Sequence, residues 1–173
     1  MARSKSSVGF LVRVATPADE QPISILLDAS YSVLMRPYYD PSTLDCALPA
    51  ITTASPRLLA SGTYYVANAA DDTTVGCGGW TRERPGSGEV EPELAHVRHF
   101  ATHPTWTGLG VGRSIYAVCE REARNAGAKR FECYSSLNAE GFYASLGFER
   151  VEPIDVCFGP GASLPGVLMA RII

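Results

Sequence analysis

The alternation of apolar and polar residues changes period several times along the chain. Residues 9–14, GFLVRV, alternate as a short strand, and the following TPADEQPISILLDASYSVL reads as a turn leading into a helix, with Thr16 or Asp19 available as its cap. From Met35 to Leu59 the prolines at 37, 41, 49 and 56 predict short helical pieces and loops, more a pocket wall than part of a sheet. Two strand-like runs, 62–69 and 74–83, are joined by a turn at Asp71 and Asp72. Gly76, Gly78 and Gly79 inside the second run predict a bulge or a close approach of backbone.

Residues 84–93, RPGSGEVEPE, form a polar loop whose Glu89, Glu91 and Glu93 read either as a solvated hairpin tip or as a patch attracting an amine. A strand over 95–103 ends at Pro104. From Gly110 to Ala126, Val111, Ile115, Val118, Cys119 and Ala123 recur at helical spacing, and Gly127 supplies a stop. Strand 129–135, a short helix 138–146, strand 148–157, a Gly/Pro turn at 159–161 and strand 166–172 complete the pattern, the last two strands forming an antiparallel hairpin. The expectation is one mixed α/β domain over residues 1–173, with residues 1–8 frayed at its start.

Composition narrows the function classes. The 173 residues are 46% hydrophobic and 19% charged, as in an ordinary globular domain. A formal charge of −3 and a pI near 5.6 give no global attraction to nucleic acid or anionic membrane. No basic run interleaved with aromatics suggests a base-stacking surface, and no apolar stretch suggests a membrane span or secretory signal. The expected location is cytoplasmic. Cys46, Cys77, Cys119, Cys133 and Cys157 are odd in number and widely spaced, which predicts mostly buried thiols without a disulfide framework or zinc knuckle.

The most informative run is HPTWTGLGVGR at 103–113, which places Gly108, Gly110 and Gly112 between a strand and a helix. Glycines allow a tight turn, and a helix start leaves backbone N–H groups free, so the run suits a pyrophosphate; a ligand-free turn is the plainer alternative. The amides of Leu109, Val111 and Arg113 would join those of the glycines, and the Arg113 side chain can add a charge. No lysine follows the glycines, which disfavours a phosphate-loop NTPase. Starting a dinucleotide fingerprint at Gly108 leaves Arg113 where the last glycine belongs, although Glu132 lies at a suitable distance for a ribose contact.

Two separated segments, AHVRHFATHPTWTGLGVGRSIYAVCEREARNAGAKRF and SSLNAEGFYASLGFERVE, resemble the GCN5-related N-acetyltransferase (GNAT) superfamily over residues 94–152. The second carries the Y-x-x-x-G-F signature as Tyr143, Gly147 and Phe148. The resemblance implies a mostly antiparallel central sheet flanked by helices, with central strands splayed at an acyl-CoA site. It also implies acetyl-CoA as co-substrate, no metal, and direct acetyl transfer to a primary amine of a small molecule or peptide. By likeness, the 108–113 amides hold the pyrophosphate and the backbone of Phe100, Ala101 and Thr102 pairs with the pantetheine arm. Asn138 adds a cofactor contact, and Tyr143 is the general acid. Thr107 stands where the family usually has Arg or Gln, and Ser136 where it often has Asn.

Two-residue alternation would put His96, Arg98, Phe100 and Thr102 on one strand face and Val97, His99, Ala101 and His103 on the other, so the three histidines cannot converge on one metal. His96 falls where some protein-acetylating relatives carry a catalytic glutamate and is the candidate base, with a pocket-lining role as its alternative. Arg98 hints at a carboxylate on the acceptor or at a salt bridge. Trp80, Trp106, Tyr38 and Tyr39 are candidates for an acceptor wall. The likeness also allows a homodimer using the C-terminal strand. Other readings are an acyl-CoA-binding sensor without turnover, or an acyltransferase for a longer acyl chain.

Overall fold

The computed structural model describes residues 9–173; the frayed start expected for residues 1–8 lies outside them. Seven strands form one sheet: β1 (Phe10–Val14), β2 (Tyr64–Ala69), β3 (Thr74–Thr81), β4 (Leu94–Thr102), β5 (Arg130–Ser136), β6 (Glu149–Gly159) and β7 (Ala162–Ile172). Their order is β1-β2-β3-β4-β5-β7-β6, antiparallel throughout except for the parallel β4–β5 pair. Five α-helices, α1 (Glu20–Leu34), α2 (Pro41–Ile51), α3 (Pro56–Leu59), α4 (Val111–Asn125) and α5 (Glu140–Ser145), flank it. This is the expected mixed α/β architecture.

The proline-rich segment is short helices because two of its prolines start them. Asp40 accepts hydrogen bonds from the Ser42 and Thr43 amides ahead of α2, Ser55 accepts from the Leu58 amide ahead of α3, and Pro41 and Pro56 take the first helical position, where no N–H is needed. On the opposite side of the sheet, α4 buries Val111, Ile115, Tyr116, Cys119 and Ala123 against Ala67, Val75, Val97, Phe131 and Cys133. A side chain at Gly76 would put its Cβ 2.4 Å from the Val111 side chain, so the glycine sets how closely β3 and α4 approach. Ile23, Leu26 and Leu27 of α1 cover the other face over Tyr64, Val66, Cys77 and Ala101.

Several expectations are corrected. The C-terminal strand β7 lies between β5 and β6 and is not an edge strand; the sheet's edges are β1 and β6. The cysteines follow the expectation, most of them being buried: Cys77, Cys119 and Cys133 are enclosed, and Cys46 and Cys157 are exposed. The Glu89–Glu93 carboxylates do not form an open acidic patch: Glu91 pairs with Arg84, and Glu93 pairs with Lys129 at 2.5 Å. Among the described residues, no helix is long and apolar enough to cross a membrane.

Asp19 ties β1 to the start of α1. It accepts two hydrogen bonds from Arg13, at 2.7 and 2.9 Å, and one from the Thr16 amide at 2.8 Å. The Arg13 contact, outweighing the opposing effect of burial, holds its carboxyl down to about 2. Because the folded value lies below the unfolded one of about 4, the stabilisation is complete above that value and is lost as pH falls toward 2. Asp19→Asn should cost about 1–3 kcal/mol near neutral pH. In urea unfolding at a series of pH values, its gap from wild type should close as the solution is acidified through this window.

Candidate active site

The site begins where two neighbouring strands part. β4 and β5 pair only through Leu94, Ala95 and His96 opposite Arg130, Phe131 and Glu132, after which β5 continues against β7 and β4 against β3. On its β3 side, β4 carries a bulge: Arg98 pairs with Gly79 and Ala101 with Cys77, leaving His99 and Phe100 opposite Gly78. His99 has φ +52°, in the left-handed region that side chains disfavour. Three contacts hold it there. Its Nε2 lies 2.8 Å from the Ile51 carbonyl, its ring packs on Tyr31, and its own carbonyl accepts from the Tyr64 hydroxyl at 2.9 Å. The Phe100 carbonyl accepts from the Tyr31 hydroxyl at 2.8 Å.

The bulge overturns the simple alternation expected for this strand. Phe100 packs with Val97 in the core beneath α4, whereas His99 and Ala101 face α1. A Cβ on Gly78 would fall 2.4 Å from the Phe100 ring, so that glycine makes room for the displaced side chain. Extra residues in a strand leave only a weak trace in composition. The glycines of β3 were that trace, on the partner strand.

A cavity of about 1040 Å³ occupies the gap. Thr102, Thr107, Gly108, Gly110, Gly112 and Arg113 line one end, and Asn138, Phe142 and Tyr143 line its flank. The other end is walled by Tyr31, Met35, Tyr39, Ile51, Leu58 and Arg98. Phe100, Ala101 and Val111 also line it, so most of the predicted site residues converge on one space. Two do not: neither Leu109, which is exposed, nor His96 is among the lining residues. Of the aromatic candidates, Tyr39 and Trp106 line the cavity; Trp80 is in the core and Tyr38 is exposed. Sequence reasoning missed Tyr31 and Tyr64, whose hydroxyls reach the bulge from distant elements.

Gly108 and Gly110 have φ of +75° and +86°, and a Cβ on either would meet nothing within 4 Å. Left-handed backbone, not crowding, therefore selects glycine here. Gly110 is the N-cap of α4, so the first amides of that helix have no intrahelical acceptor. The Thr107 hydroxyl is already used, donating to the Pro104 carbonyl at 2.9 Å. The Arg113 guanidinium leans on Ser145, and Asn138 presents a buried Oδ1 without a hydrogen-bond partner.

The Y-x-x-x-G-F run has a local physical explanation. At the end of α5, the Phe148 amide donates to the Tyr143 carbonyl and the Gly147 amide to the Ala144 carbonyl, with Gly147 at φ +93°. This is the glycine-terminated helix stop in which the residues before and after the turn touch, and the Tyr143 and Phe148 rings lie 5.5 Å apart. Phe100 contributes another edge contact at 6.3 Å. Tyr143 is thereby fixed in rotamer and position. Burial pushes its phenol well above its ordinary pKa of about 10, so it holds its proton at neutral pH.

His96 is enclosed, 1% exposed, with its Nδ1 3.9 Å from Glu132 and neither ring nitrogen hydrogen-bonded. Burial, reinforced by Arg84 and Arg98, lowers it to about 4. The three histidines have separate surroundings: His96 beside β5, His99 in the bulge, and His103 accepting from the Thr105 amide.

The parted sheet, the glycine turn and the protonated phenol on its flank thus surround one cavity. The model of the acetyltransferase (GNAT) domain matches residues 37–157, and the chain belongs to that family. Among solved structures, a GCN5-related N-acetyltransferase from Rhodopseudomonas palustris superposes with a TM-score of 0.76 at 20% identity, covering 94% of this chain and 95% of that one. The PaiA N-acetyltransferase of Thermoplasma acidophilum, solved with coenzyme A, gives 0.70 at 15% identity over 95% and 99% of the two chains. A GNAT acetyltransferase of Brucella melitensis, solved with acetyl-CoA, gives 0.57 at 17% identity over 95% and 88%. No curated protein sequence matches the chain.

The Tyr31 bond to the bulge gives a direct test of what holds the gap open. Tyr31→Phe leaves the Phe100 carbonyl without its partner and should lower stability by about 1–3 kcal/mol in thermal or urea unfolding.

Proposed function

We propose that this protein is an acetyl-CoA-dependent N-acetyltransferase acting on a primary amine of a small molecule or peptide. The observation that carries the reading is the continuous cavity that joins the glycine turn, the parted strands and the Tyr143 phenol. The residues suit the co-substrate. Unpaired amides at 108–113 and the start of α4 match a pyrophosphate, the unpartnered Asn138 Oδ1 matches an amide or hydroxyl donor, and the unpaired edge of β4 at 100–102 matches the amides of a pantetheine arm. The Phe100 carbonyl, already bonded to Tyr31, is outside that set. The relatives solved with coenzyme A or acetyl-CoA support the same assignment.

Bound acetyl-CoA supplies an activated acyl carbon. The protein's part is to align a neutral amine with it, which converts an encounter into an oriented step. As the new N–C bond forms and the C–S bond breaks, the Tyr143 hydroxyl gives its proton to the departing sulfur, and the amine nitrogen releases its own to solvent. His96, enclosed and depressed to about 4, is then a neutral group under the site and not the direct base. The five unpaired thiols suit a reducing, cytoplasmic setting.

A binding-only acyl-CoA sensor is the second reading, favoured by Thr107, whose hydroxyl is spent on its own turn. Release of free thiol from acetyl-CoA on addition of amines, after subtracting hydrolysis without acceptor, separates the two. Tyr143→Phe should retain acetyl-CoA affinity by calorimetry and lose about a hundredfold or more in kcat. Unchanged turnover would remove Tyr143 as the acid. The pH profile of kcat between 5 and 8 should be the same for His96→Asn and wild type.

A further inference from the structure

The cavity wall opposite the glycine turn carries a cation without a counter-charge. Arg98 immediately precedes the bulge, is partly buried and lines the cavity. Its one hydrogen bond is from Nη1 to the Thr81 hydroxyl at 2.9 Å, and among the described residues no carboxylate lies within 4 Å of it. Most other arginines around the sheet are paired: Arg13 with Asp19, Arg84 with Glu91, Arg130 with Glu132 and Arg171 with Glu120. Arg57 of α3 adds a second positive charge nearby. After burial, it is the largest influence lowering the Arg98 pKa, while Glu83 opposes it more weakly.

A guanidinium that is partly desolvated and short of acceptors is a costly arrangement unless a ligand completes it. A planar carboxylate does so with two parallel hydrogen bonds. The surrounding wall is mixed: Tyr31, Met35, Ile51 and Leu58 give it an aromatic and aliphatic surface, and Thr53 and Ser55 add uncharged polar groups. On the transferase reading above, the reacting amine must approach the bulge, so an anion bound by Arg98 belongs to the acceptor and lies close to its amine. We infer that the acceptor is a small amine bearing a carboxylate, in the manner of a free amino acid with an apolar side chain, and that Arg98 holds that carboxylate. An N-terminal peptide residue, whose carboxylate is consumed in an amide bond, lacks this handle.

The experiment compares L-phenylalanine, L-phenylalaninamide and 2-phenylethylamine as acceptors with acetyl-CoA, with rates corrected for the fraction of neutral amine. The expected result is a preference of about tenfold or more in kcat/KM for the amino acid, carried mainly by KM, and a collapse of that ratio in Arg98→Gln. Arg98→Lys should restore part of it, since charge is kept and the bidentate geometry is lost. Calorimetric titration of N-acetyl-L-phenylalanine and its amide into wild type and Arg98→Gln, with and without coenzyme A, provides a readout independent of turnover. The acid should bind about tenfold more tightly than the amide to wild type only. Equal kcat/KM for the three acceptors, or equal binding of acid and amide, overturns the assignment of Arg98 while leaving the transferase reading intact. Failure of acetyl-CoA itself to bind in the same calorimeter overturns that reading instead.

Discussion

The structure depends on keeping β4 and β5 apart while finding partners for the carbonyls that the bulge displaces. Parallel neighbours that diverge expose a row of backbone donors and acceptors, which is expensive in a sheet covered on both faces. Here the cost is contained by inserting an additional residue on the β3 side and by bringing two phenols to the displaced carbonyls, Tyr64 to His99 and Tyr31 to Phe100. The His99 backbone strain is then held by contacts from α1, α2 and β2, so the opening is a property of the whole α1 side of the sheet.

The same bulge divides labour along one strand. Before it, Arg98 faces the helices that wall the far end of the cavity; after it, Phe100 and Thr102 face the glycine turn and α5. Regular pleating would have put all three on one side. The glycines of β3 are the complement of this arrangement. Gly78 accommodates the Phe100 ring, and Gly76 lets α4 sit close enough for its first turn to reach the gap.

Much of this was legible in the residues. Helical spacing and Gly127 located α4 to within a residue at each end, and the two-motif likeness led to the correct family and sheet. Local signals of this kind survive because caps, stops and amphipathic faces are written within a few positions. The bulge was half legible, predicted on β3 from its glycines but not transferred to β4, so Phe100 and His96 were assigned to one face. Tyr31 and Tyr64 were invisible as bulge partners because their bonds span 69 and 35 residues. The paired state of Glu93 was likewise hidden, since Lys129 lies across a chain reversal that includes the whole of α4.

The helix stop at Tyr143 and Gly147 has an implication for how such a domain can diversify. Because the phenol is part of the hydrogen-bonded ending of its own helix, its placement is settled by six consecutive residues and borrows little from the proline-rich segment across the gap. That segment can therefore drift in length and side chains, and so in the molecules it admits, while the Tyr143 phenol stays put.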